Sequence, residues 1–213
     1  MIYKKSWKYI LTRDDYYWCN NGYFKIKSLK NFSDVKKGNL GGYIQGYHNL
    51  SQKGNCWVYN EAVVSGKASV SENARVYRDA RVKDDARVTG SAVVSKDAWV
   101  YEHAQVTENA HIYGNAMILG NSRIYGNAII CESTEIYGNA EIFGEAKIRG
   151  YAVILGNAKV YGNARVSEYA KVCENAQVTG DAQISGNTVI SGDTKVCENT
   201  RSEWFTKNPG NIF

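Results

Sequence analysis

The sequence predicts an all-β protein: a triangular parallel β-solenoid of about eight coils behind a small β-rich N-terminal cap. Three observations predict it. A six-residue unit runs unbroken from Cys56: a small residue, any residue, Val or Ile, any residue, then two turn-forming residues. Counted in sixes from Cys56 to Thr194 there are 24 such units, each with Val or Ile two places after its first residue. Gly-Asn pairs close many units, as at Gly114-Asn115, Gly138-Asn139 and Gly162-Asn163, while Pro occurs once, at Pro209.

Each part of the unit has a physical role. Alternate side chains of a strand share a face, so the small residue and the Val or Ile two places on point inward together. Gly and Asn tolerate the positive φ of a sharp corner. A short strand and a corner every six residues close a triangle in three units, about 18 residues per coil, and coils stacked at about 4.8 Å give a prism about 40 Å long. Ala fits beside the corner, and β-branched Val and Ile suit both the strand and the stack.

The chain divides into a cap at 1–55, the repeats at 56–200 and a tail at 201–213. The net charge of +5 belongs to the cap, which carries ten Lys and Arg against three Asp. The cap alternates aromatic and charged residues, as in Trp7-Lys8-Tyr9-Ile10 and Tyr23-Phe24-Lys25-Ile26-Lys27. A few strands are expected there, covering the open end of the first coil. Gly38, Gly41 and Gly42 are expected to make the sharp turn into the solenoid, and Trp204 and Phe205 to fold over the last coil.

The five cysteines (Cys19, Cys56, Cys131, Cys173, Cys197) are odd in number and lack CxxC spacing, which argues for reduced thiols over disulfides or structural zinc. No run of about 18 apolar residues and no leader pattern occurs, so a soluble, cytoplasmic protein with no membrane partner is expected. There is no P-loop, dinucleotide fingerprint or Ser-His-Asp order.

The unit Ile112-Tyr113-Gly114-Asn115-Ala116-Met117 resembles the hexapeptide signature of left-handed parallel β-helices, a superfamily with many acyltransferases and the γ-class carbonic anhydrases. The left hand of the helix is implied by that resemblance. The runs Gly38–Ile44, Asn49–Ser51 and Gly54–Tyr59 are more narrowly similar to little-characterised bacterial and phage hexapeptide-repeat proteins, often labelled acyltransferases for their fold. Fold alone does not establish function.

An acyltransferase of this kind needs a His base beside an acyl-CoA held between subunits. Only His48, His103 and His111 are present. His103 falls at a corner and His111 on a strand, and either is the candidate base. The carbonic anhydrase reading fails, because it needs three suitably spaced His ligands. The repeats also lack the inserted loops that shape an acceptor pocket in related enzymes.

Outward positions fall on three walls. The first carries Trp99, Met117, Glu135 and Val153 beside Tyr101, Leu119, Tyr137 and Leu155. Seven large apolar side chains facing water mark an interface, so a homo-oligomer through this wall is expected, a trimer by resemblance. The second carries Arg87, Gln105, Arg123, Glu141 and Lys159 beside Tyr125, Phe143 and Tyr161. Arg87, Arg123, Tyr125, Lys159 and Tyr161 are candidates for holding a nucleotide-like anion. The third, with Val93, His111, Ile129 and Tyr113, is mixed. The expected function is a non-enzymatic, oligomeric binding or scaffold protein without cofactor. A phage or prophage origin would make a host protein or a small anion its partner and host defence its target. The alternatives are the acyl-CoA-dependent acyltransferase and a purely structural prism.

Overall fold

The computed structural model describes residues 7–13, 22–197 and the backbone of 201–202. Three strands open the chain: β1 (Tyr9–Thr12), β2 (Phe24–Ser28) and β3 (Leu40–Ile44). Twenty-five two-residue strands follow, one for each of the 24 hexads from Trp57–Val58 to Lys195–Val196 and one more at Arg201–Ser202. They form three sheets in which each strand pairs in parallel with the strand 18 residues on, as Trp99 pairs with Met117 and Gln105 with Arg123.

The sheet bearing Trp99 has eleven strands, because β1 and β2 add antiparallel to β3 at its end. The other sheets have nine and eight strands. The solenoid makes roughly nine turns, one more than the hexads alone give. The extra turn comes from β3, which pairs in parallel with Val63–Val64, and from Leu50, which bridges to Val70. Parallel pairing therefore starts ahead of the first hexad.

The backbone satisfies itself between coils. Trp99, Tyr101 and His103 donate their N–H groups to the carbonyls of Ala116, Ile118 and Gly120 at 2.9–3.0 Å. The ladder thus continues through the corner and does not stop with the strand. Inward Ala, Val and Ile side chains are sealed from solvent from Ala62 to Val196. Each buried Val or Ile contributes about 1.5–3 kcal/mol. Residues with φ between 55° and 80° stand at the fifth position of the hexads, including Gly138 and, without glycine, Glu102 and Glu132.

Cap and solenoid share one apolar cluster. Tyr9 and Phe32 meet Trp57 edge-on, at centroid distances of 6.0 and 5.4 Å, and the buried Tyr9 hydroxyl donates to the Leu50 carbonyl at 2.6 Å. Asn49 is buried and holds the corner by donating to the carbonyls of Ala68 and Gly66 while accepting from the N–H groups of Gln45 and Gly46. Of the three glycines expected to turn the chain, only Gly38 has a positive φ, of 91°. Gly41 and Gly42 lie inside β3. A Cβ on Gly41 would stand 2.5 Å from the Val58 carbonyl, and one on Gly42 would collide with that of Ala62, so both glycines serve close packing on the first coil. Cys56, Cys131 and Cys173 are free thiols. Cys19, Trp204 and Phe205 lie outside the described residues.

Candidate functional site

The hexad delivers straight columns of side chains along each wall. On the first wall Trp99, Met117 and Val153 form one column with Glu135 between them, and Tyr101, Leu119, Tyr137 and Leu155 form its neighbour. All seven apolar residues are half-buried, where free exposure was expected. Coils about 4.8 Å apart press each side chain on the next. At the N-terminal end of the patch Arg81 and Lys83 lie 5.0 and 5.2 Å from the Trp99 ring, covering it by cation–π contact. The outward surface of the patch stays apolar, with Glu135 its one exposed charge.

On the second wall Tyr125, Phe143 and Tyr161 stack at 4.8 Å with ring planes 2° apart. Their facing surfaces are used up by one another, which leaves only the two ends of the stack for a planar ligand. Lys159 is joined to Glu141 at 3.1 Å, while Arg87 and Arg123 are exposed. The column of candidate cations is therefore partly neutralised by its own acid.

The third wall holds a feature that the sequence reading missed. Lys147 and Arg165 are direct partners in the ladder, and Arg149 stands two residues beyond Lys147, just past the end of its strand. All three are exposed, and none forms an ion pair with a described residue. At the adjoining corner Tyr151 and Tyr169 stack at 5.1 Å and are 57% and 63% exposed. With Arg149, Ser167, Glu132 and Glu168 they border an open depression of about 340 Å³. The signal was in the sequence: Tyr151 and Tyr169 occupy the last hexad position, where Asn or an acid usually stands.

The three histidines are kept apart. His48 is used structurally, its Nε2 lying 2.8 Å from the Gly66 carbonyl oxygen. His103 projects from a corner, with its Nδ1 4.0 Å from an Asp85 carboxylate oxygen. His111 is exposed on the third wall, with the second wall between it and His103. Among the described residues no three His, Cys, Asp or Glu side chains are grouped to hold a metal ion.

Polar contacts tie the cap to the third wall. The Tyr59 hydroxyl donates to the Asp34 carboxylate at 2.7 Å, and Arg75 donates to Ser33 at 3.0 Å and to the Tyr77 hydroxyl at 3.3 Å. The Tyr59 hydrogen bond draws the Asp34 carboxyl below its ordinary value. Burial, and then that same bond, hold the Tyr59 phenol above its own.

Residues 158–174 match the family model of the YdcK β-solenoid repeat. The matched stretch begins at Ala158, the small residue of a hexad, and carries the same repeat as the rest of the solenoid. A 53-residue stretch, 24% of the chain, is 40% identical to a protein of Escherichia coli (strain K12) named as the uncharacterized acetyltransferase YdcK. The chain spans 16% of the length of that relative. The similarity agrees with the fold: a β-solenoid built of hexapeptide repeats.

Proposed function

We propose that this chain is a non-enzymatic, self-associating scaffold in which the apolar wall of one copy packs on another. The supporting observation is the pair of straight apolar columns from Trp99 to Leu155, interrupted only by Glu135. A contiguous apolar patch on a rigid, flat surface is what an interface between copies requires. A trimer closes three such walls about one axis. The basic residues of the other two walls are then left for an anionic, nucleotide-like ligand or a protein partner, which in a phage setting would belong to the host. Native mass spectrometry of wild type and Leu119→Arg tests the reading. The wild type is expected to be an oligomer and the variant to shift toward monomer. A monomeric wild type, or an unchanged variant, removes this wall as the interface.

A second reading is an acyl-CoA-dependent acyltransferase with a site between subunits. The name of the E. coli relative and the exposed His103 beside Asp85 favour it. Acetyl-CoA binding that is retained while acetyl transfer is lost in His103→Ala would establish it, and absence of acetyl-CoA binding would exclude it.

A further inference from the structure

Lys8, the residue before β1, is 1% exposed and is the one buried Lys or Arg among the described residues. Lysine is rarely buried without a partner of opposite charge. Among the described residues its Nζ has no carboxylate beside it. It donates to the carbonyls of Cys56 at 2.9 Å, Lys53 at 3.2 Å and Gly54 at 3.4 Å, and it lies 3.1 Å from the Cys56 sulfur. The Phe32 ring, 5.3 Å from Nζ, closes another side.

Cys56 occupies the first position of the first hexad. That position is Ala in nineteen of the 24 units, so packing alone is met without sulfur. The thiol is also fully buried, which places it beyond the reach of a cysteine on another molecule but not beyond a small oxidant. Lys53 and Gly54, whose carbonyls cover the amine, are themselves exposed, so the pair lies one layer below the surface. Burial pushes the Cys56 thiol up and the Lys8 ammonium down, and each partner opposes the other's shift. The lysine amine is thereby biased toward the uncharged, nucleophilic form.

We propose that Lys8 and Cys56 form an oxidation-driven covalent bond, Nζ to Sγ, that fastens the N-terminal strand to the first coil. Hydrogen peroxide is the oxidant. The Cys56 thiol passes its proton to the neutral Lys8 amine and the thiolate attacks one peroxide oxygen; the O–O bond breaks, the departing hydroxide takes that proton back from Lys8 as water, and sulfenic acid remains, sulfur having lost two electrons to the peroxide. The neutral Lys8 amine then attacks that sulfur. The N–S bond forms, the S–O bond breaks, and the departing hydroxide takes the amine's proton as water. One thiol, one amine and one peroxide give one sulfenamide and two waters. A small thiol reverses the link by attacking sulfur and freeing the amine. The bond would close a loop between residues 48 apart in sequence, constraining the cap as a disulfide would. This inference does not depend on self-association.

The test treats the intact protein with hydrogen peroxide, alkylates remaining thiols after denaturation and maps the peptides by mass. The expected product joins the Lys8 and Cys56 peptides, weighs two hydrogen atoms less than their sum, resists trypsin after Lys8 and disappears on reduction with dithiothreitol. Lys8→Arg, which keeps the cation but not the nucleophile, and Cys56→Ala, which suits the repeat, are each expected to abolish it. The wild-type measurement stands even if a variant fails to fold. The proposal is overturned if Cys56 remains alkylatable, or if it advances to sulfinic acid with Lys8 unlinked.

Discussion

Replacing Gly138 tests how the corners are held. Gly138 has φ +76°, and a Cβ there would stand 2.9 Å from both the N and O of Gly156 one coil on. Alanine would therefore bear the left-handed backbone cost of about 1–2 kcal/mol together with that collision, so about 2 kcal/mol is expected in all. Glutamate bears the same backbone cost but brings a compensation visible elsewhere in the chain. At equivalent corners the carboxylates of Glu102, Glu132 and Glu174 accept the N–H of Gly120, Gly150 and Gly192 at 2.7–2.8 Å. A glutamate at 138 can take the N–H of Gly156 in the same way. At an exposed corner, where water screens the charge, that bond returns about 1 kcal/mol, the ordinary net value of a hydrogen bond. For a chain of this size 1 kcal/mol is about 2–4 °C in melting temperature. Gly138→Ala should lower the melting point by about 4–8 °C and Gly138→Glu by about half as much. The gap should narrow in molar salt as the carboxylate is screened. If Gly138→Glu melts at or below Gly138→Ala, the corner carboxylates do not hold the coils in the way proposed.

Three further outcomes are expected. In the Asn121–Asn139–Asn157–Asn175 ladder each amide donates to the next carbonyl oxygen, and the run ends on the acceptor Asp193. Asn157→Asp should therefore destabilise by about 1 kcal/mol while Asp193→Asn is nearly neutral, as read by thermal melting. The Thr134 hydroxyl is buried without a hydrogen-bond partner, unlike those of Ser122, Thr188 and Thr194, so Thr134→Ala should be neutral or stabilising by up to about 1 kcal/mol; a clear loss would mean the hydroxyl is satisfied. The Tyr9 and Tyr59 phenols are both held above the ordinary tyrosine value, chiefly by burial. Their contribution is intact below about pH 10 and is lost as pH rises through the folded values. Melting curves of Tyr9→Phe should start lower at neutral pH and fall less steeply above pH 10 than those of wild type.

The solenoid was legible because its core is set by a strictly local rule. The spacing of Ala98 and Val100 alone fixes which side chains go inward and which column Trp99 joins. What the hexad does not encode was harder to read. β3 has no hexad, yet its backbone pairs as if it had one, because Gly41 and Gly42 let it lie against the first coil. Lys8 sits in a segment that reads as an ordinary basic surface, and only the fold brings Cys56 beneath it. The column positions of Arg123, Glu141 and Lys159 could be predicted. The closure of Glu141 on Lys159 at 3.1 Å could not, since rotamers decide which neighbour a charge meets. Tyr151 and Tyr169 stand at a hexad position that signals only a turn, and nothing in the local rule says that such a corner also presents surface.

The ladder register of 18 residues has a consequence for how such a chain changes length over generations. Loss or duplication of six residues keeps every Ala and Val facing inward, so the protein would still fold. Everything downstream, however, would rotate by one wall, and Met117 would no longer stand over Trp99. Loss or duplication of 18 residues shortens or extends the prism without disturbing any column. Heredity therefore has two units in this molecule: six residues are enough to inherit a core, but only eighteen preserve a surface.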